Sequence, residues 1–139
     1  MQSEPRVGCG AAILVDGKLL LIRRKKAPEA GCWGLPGGKV DLFEPVSRAV
    51  EREVAEELGI TIHARDMLCL VEQSDQESGT HRIAPVYLVT KPTGTPTLME
   101  PEKHRDFGRL PLGELPSPLI TPTVPAMVAL RSRADIFSS

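Results

Sequence analysis

The sequence predicts one domain of the α/β class, α+β in type, in which strands flank a single long amphipathic helix. Three observations carry this expectation. An Asp16-Gly17 pair joins two short apolar runs, which is a strong local hairpin signal. Val46, Val50, Val54 and Leu58 recur every four residues, as the buried stripe of a helix does. Two further apolar runs, residues 67–71 and 83–89, have the length of strands.

Each element follows in order. Residues 7–15 form the first apolar run and residues 18–22 the second, so the Asp-Gly turn between them closes a hairpin. From residue 23 to 38 the periodicity vanishes. The stretch RRKKAPEAGCWGLPGG reads as a long ordered loop, and loops of this length inside a domain are usually functional. Glu44-Pro45 opens the helix, with proline at its first position, where a missing N–H costs nothing. Gly59 ends it as a left-handed cap with Ile60 packing back. The polar stretch EQSDQESGTHR reads as a turn between the two later strands. Nine of the 13 prolines lie from Pro85 onward, so the last third is expected to be irregular until a short helix over residues 126–131.

The 139 residues suit one domain, residues 1–139, with one sizeable core. Apolar residues at 41% and charged residues at 25% exclude general disorder. Aromatics are 4%, so the core must be aliphatic. With 17 basic and 18 acidic residues, the net charge of −1 gives no field to draw the chain onto nucleic acid or anionic lipid. No apolar stretch approaches the ~18–20 residues of a membrane span. The first residues lack the layout of a signal peptide. Cys9, Cys32 and Cys69 are widely spaced with no C-x-x-C pair, and they read as small hydrophobes in a reducing cytoplasm.

The chemistry concentrates between Gly38 and Ile60. On the expected helix Glu53, Glu56 and Glu57 stand at i, i+3 and i+4 and share one face, beside the apolar stripe. Two carboxylates about 6 Å apart repel by only ~0.7 kcal/mol in water, but by nearly ~3 kcal/mol at an effective dielectric of 20. On an open surface such a cluster means little, and runs like EREVAEELG are common on solvated helices. In a cleft it needs cations. Arg52 answers one carboxylate, and a divalent ion held by oxygens alone, Mg²⁺ or Mn²⁺, suits the rest. None of the three histidines falls at a metal-ligand spacing from these residues.

The whole pattern is far more specific than the acidic run. Gly38, five residues, Glu44, seven residues, Arg52-Glu53-Val54, one residue, Glu56-Glu57, one residue, Gly59-Ile60 resembles the signature of the Nudix hydrolases at every defined position. A chance match at a given start is on the order of 10⁻¹⁰ from average residue usage. Leu35-Pro36-Gly37-Gly38, with Trp33 before it, resembles the loop that leads into the family's signature. Asp41 and Phe43 stand where relatives usually carry Glu and Gly, so a glycine backbone at residue 43 need not be copied.

The resemblance implies an α/β/α sandwich with a mixed β-sheet and a catalytic loop-helix-loop. It implies hydrolysis within the phosphate chain of a nucleoside diphosphate linked to another moiety. Carried onto this chain, Glu56 and Glu57 would ligate Mg²⁺ or Mn²⁺, with Glu53 as a further ligand or general base and a carbonyl from Gly38 or Gly37. Glu44 and Arg52 would orient the site through ion pairing, although Glu44 reads equally as a helix cap. Arg24 and Lys39 would contact phosphates, against the alternative of a solvated strand end. A late-loop carboxylate, Glu100 in preference to Glu102, would join the metal. Trp33 could stack on a base, but a lone loop tryptophan is more often packing. His81 and His104 read as loop or hydrogen-bonding residues.

Subfamily markers work mostly by absence. The first proline after Ile60 is Pro85, farther downstream than in one ADP-ribose class. The arrays of the NADH and coenzyme A classes are missing. The LPGGKVD and EPEKH segments look like small members acting on nucleoside triphosphates. A (d)NTP pyrophosphohydrolase is therefore the first expectation, with ADP-ribose or another nucleotide sugar second. A nucleotide-sensing module without catalysis is the rival outside enzymes, weakened because all three glutamates are retained. The partner is a nucleotide, with no nucleic acid or membrane, and a homodimer fits the many dimeric relatives.

Overall fold

A computed structural model describes residues 2–27 and 29–133. In chain order the elements are β1 (Arg6–Val15), β2 (Lys18–Arg24), β3 (Trp33–Gly34), β4 (Gly37–Lys39), α1 (Val46–Leu58), β5 (Asp66–Asp75), β6 (Thr80–Val89), β7 (His104–Pro111) and α2 (Thr123–Arg131). The sheet runs β3-β2-β1-β6-β5, with β4 paired to β1 and β7 paired to β2. It is mixed: β1 and β6 are parallel, and the other pairings are antiparallel.

Both faces of this sheet are covered, which explains why β1 and β2 read as unbroken apolar runs. Ala11, Ile13, Leu20 and Ile22 face α1, where Val50, Val54 and Leu58 complete one core. Ala12, Leu14, Leu19 and Leu21 face α2, where Ala126, Met127 and Leu130 complete another. Each fully buried Val, Leu, Ile or Met side chain contributes roughly 1.5–3 kcal/mol. The expected α/β/α layering and mixed sheet are present.

Asp16 and Gly17 both take positive φ, 53° and 73°, as a tight hairpin turn with right-handed strand twist requires. Gly59 caps α1 in the left-handed region, φ 68°. Pro45 stands one position earlier than expected. It is the extended cap residue, and its carbonyl accepts the N–H groups of Arg48 and Ala49.

Three expectations need correction. The segment 23–38 is not all loop: it contributes β3 and β4, too short to show a period. The polar stretch 72–82 is mostly strand. Glu72 to Asp75 pair with Ile83 to Thr80, and only 76–79 turn. The proline-rich last third holds β7, which pairs along the whole of β2. Phe43, 94% exposed, adopts φ 68° and so does copy the glycine-type backbone. That conformation costs a side chain about 1 kcal/mol. Phe43→Gly is expected to raise stability by up to about 0.5 kcal/mol in urea unfolding, the strain relieved less the ~0.5–1 kcal/mol of entropy added to the unfolded chain. A lower midpoint would contradict this.

Candidate active site

Helix α1 and strand β4 meet where a side chain on either glycine of β4 would collide with its neighbours. β4 pairs with β1 through Gly10↔Gly37, Cys9↔Gly38 and Gly8↔Lys39. A Cβ on Gly37 would run into the Cys9 carbonyl, and one on Gly38 would stand 2.5 and 2.7 Å from the two Glu53 oxygens. The acidic face of α1 therefore lies directly on the glycine strand. The Gly37 N–H donates to Glu57 Oε1 at 2.8 Å. The Cys9 thiol donates weakly to the Gly38 carbonyl at 3.6 Å. Burial pushes that thiol up to about 11, in keeping with a small unreactive hydrophobe.

The three glutamates differ in environment. Glu57 is buried, at 7% exposure. Burial pushes its carboxyl up to about 8, the charges of Glu53 and Glu100 add to this, and the Gly37 N–H opposes it. Glu53 is half-buried and also raised by burial, with Arg52 opposing. Glu56 lies outermost on the helix flank, with both oxygens 3.3 Å from Arg52 Nη1.

Arg52 ties this face together. Its Nε and Nη2 donate to the two oxygens of Glu44 at 2.8 and 2.9 Å, a bidentate pair. It also donates to Glu53 at 3.1 Å and to the Lys39 carbonyl at 3.0 Å. The guanidinium holds Glu44 down at about 2, helped by the Asp41 N–H. Glu44 therefore pairs with Arg52, and it makes no side-chain cap on α1.

The segment after β6 closes the far side. Thr97 and Met99 donate backbone N–H groups to the Leu58 and Glu57 carbonyls at 2.9 and 3.1 Å. This docks the segment on the C-terminal end of α1. One turn then links the Glu100 carbonyl to the His104 N–H at 3.1 Å. Ligand atoms of Glu57, Glu100 and His104 all lie within 4.8 Å of one another. Glu102 is exposed and outside that group.

Arg24 ends β2 and lines a cleft together with Gly37, Gly38, Arg82, Ile120 and Thr123. Lys39 is exposed, and the contact it makes to α1 is through its carbonyl. Trp33 packs with the second core, under the Arg23 guanidinium at 5.7 Å, which favours the packing role. Two residues escape sequence reasoning. His104, expected as a loop or hydrogen-bonding residue, opens β7 and is buried beside Glu57, and His81, expected likewise, lies in β6. Arg82 reaches the cleft from β6. No local spacing signals either, because β6 and β7 approach α1 only through tertiary pairing.

The chain is similar to known proteins in sequence and fold. Residues 4–130 match the NUDIX domain family. A MutT Nudix hydrolase from Burkholderia pseudomallei, of known crystal structure, is 53% identical with a TM-score of 0.89, covering 92% of this chain and 99% of that one. An ADP-ribose pyrophosphatase from Methanocaldococcus jannaschii is 37% identical over 86 residues, 62% of this chain and 51% of that protein. A CTP pyrophosphohydrolase from Escherichia coli is 47% identical over 51 residues, 36% of this chain and 38% of that protein. The matched stretch thus spans about half or less of these curated relatives. With an acidic helix face laid against a paired glycine strand and a match over most of its length, the chain belongs to the Nudix family of hydrolases.

Proposed function

We propose that residues 1–139 form one catalytic domain that hydrolyses a nucleoside diphosphate linked to another moiety. The first substrate class is the (d)NTPs, giving a nucleoside monophosphate and diphosphate. The observation that carries this reading is the crowding of buried Glu57 and half-buried Glu53 against Gly37 and Gly38, beside a cleft lined by Arg24. Carboxylates this close, with proton affinities raised by burial, fit a divalent cation, and hard oxygen donors suit Mg²⁺ or Mn²⁺.

Glu56, Glu57 and Glu100 would hold that ion, with the Gly38 carbonyl and Glu53 beside them. When bound, the ion supplies charge neutralisation of the diphosphate and a lowered pKa for water. Glu53, raised by burial, is placed to take the proton of the attacking water. Arg52 and Glu44 keep helix and loop in register. Arg24 and Lys39 would draw the phosphate chain in. The net charge of −1 supplies no overall field for an anion, so attraction of the phosphate chain falls to local cations.

Substrate choice is open to a second reading, because the relative matching over 86 residues is named an ADP-ribose pyrophosphatase. The test is a panel of NTPs, dNTPs and ADP-ribose with Mg²⁺, its products separated by chromatography. Monophosphate plus diphosphate from a triphosphate supports the first reading. Faster formation of AMP and ribose 5-phosphate from ADP-ribose supports the second. Excess chelator should abolish turnover in either case, and full activity in chelator would sink both.

A further inference from the structure

The roles proposed so far leave His104 without one. Its residue is 8% exposed, and Nδ1 has no hydrogen-bond partner among the described residues. Nε2 faces Glu57 Oε2 at 3.5 Å. That is longer than the ~2.7–2.9 Å of a charge-assisted hydrogen bond. It is the separation of two donors on one ion: with bonds of ~2.0–2.2 Å, neighbouring ligands stand ~3.0–3.5 Å apart. Nδ1 is the nitrogen without a partner; Nε2, which faces the carboxylates, has among the described residues only the Glu57 contact at 3.5 Å, so with the ring proton on Nδ1 its lone pair is open to an ion there.

The surroundings are built to match. Glu57 Oε1 is already taken by the Gly37 N–H, which leaves Oε2 toward the imidazole. Glu100 Oε2 accepts from Lys103 Nζ at 3.2 Å, which leaves its other oxygen. The backbone bond from Met99 to Glu57 docks the segment on the end of α1, and the turn from Glu100 to His104 brings those two residues together beside it.

We propose that Glu57, Glu100 and His104 form a mixed oxygen–nitrogen cation site in which His104 Nε2 is a ligand. This rests on the reading that Glu57 and Glu100 hold a divalent ion, and adds the nitrogen. An imidazole donor suits transition ions such as Mn²⁺ better than Mg²⁺, so His104 biases the protein toward the former.

The test is pulsed EPR on the whole chain loaded with Mn²⁺. A histidine nitrogen coupling is expected, altered by ¹⁵N-histidine labelling and absent in His104→Gln. That variant should weaken Mn²⁺ binding about tenfold or more and Mg²⁺ binding by less than about threefold. Melting in chelator checks that it folds, and the labelled parent decides the matter if it does not. Mn²⁺ held without nitrogen coupling would overturn the nitrogen ligand and leave the proposed function standing. Coupling that survives in His104→Gln would also overturn it. No binding of either ion would overturn both.

Discussion

Glu57→Gln is expected to lower turnover by about 10³-fold while leaving the metal-free protein at least as stable as its parent. The loss corresponds to several kcal/mol of transition-state charge stabilisation, the scale a metal site contributes. The stability follows from burial. Glu57 titrates at about 8 in the folded protein, above its ordinary value of 4.5. Between these values the folded state binds more protons than the unfolded one. Glu57 therefore subtracts stability as pH rises through that window, by at most ~1.4 kcal/mol per pH unit. Gln replaces the protonated acid at nearly equal volume and can still accept the Gly37 N–H. In chelator, the parent should melt lower at pH 8 than at pH 5 by a wider margin than the variant. Added Mg²⁺ should raise the melting temperature of the parent more than that of the variant. Unchanged turnover would move the chemistry away from α1. A variant that melts well below its parent in chelator would contradict the buried-acid account.

Gly38→Ala should cost about 10²-fold in turnover by adding one methyl group. The new Cβ would overlap the Glu53 carboxylate, which Arg52 holds at 3.1 Å, so the carboxylate must swing away from the glycine strand. Displacement of a reacting group by about 1 Å is enough for a loss of that size. Folding should suffer little, because the clash is with a side-chain end that can move. Gly37→Ala differs in kind. Its Cβ meets the Cys9 carbonyl of the paired strand, so the backbone itself must shift and the melting temperature should fall sharply. Kinetics and melting curves on the two variants separate them. Parental turnover in Gly38→Ala would remove Glu53 from the reacting centre.

The legible parts of this protein were those written in local spacing. The turn at Asp16-Gly17, the stripe through Val50, Val54 and Leu58, and the cap at Gly59 each depend on residues within one or two turns of chain. The Glu53, Glu56 and Glu57 face belongs with them. So does the pattern from Gly38 to Ile60, whose specificity comes from residue types at set intervals.

Tertiary structure decided the rest. Trp33–Gly34 and Gly37–Lys39 become strands only because β2 and β1 offer unpaired edges. HRDFGRLP becomes β7 because all of β2 lies beside it, although its own pattern is weak. Phe43 takes a left-handed backbone in the tight turn that the Glu44 N–H closes on the Asp41 carbonyl, within a loop tied to Arg52 through Glu44 and the Lys39 carbonyl. The unequal environments of Glu53, Glu56 and Glu57 come from how deeply α1 sinks against β4. His104 and Arg82 reach the site from strands distant in sequence. A chain records its local periods residue by residue. The partners that desolvate a carboxylate or pair a strand edge are set by long-range packing, which leaves no period to read.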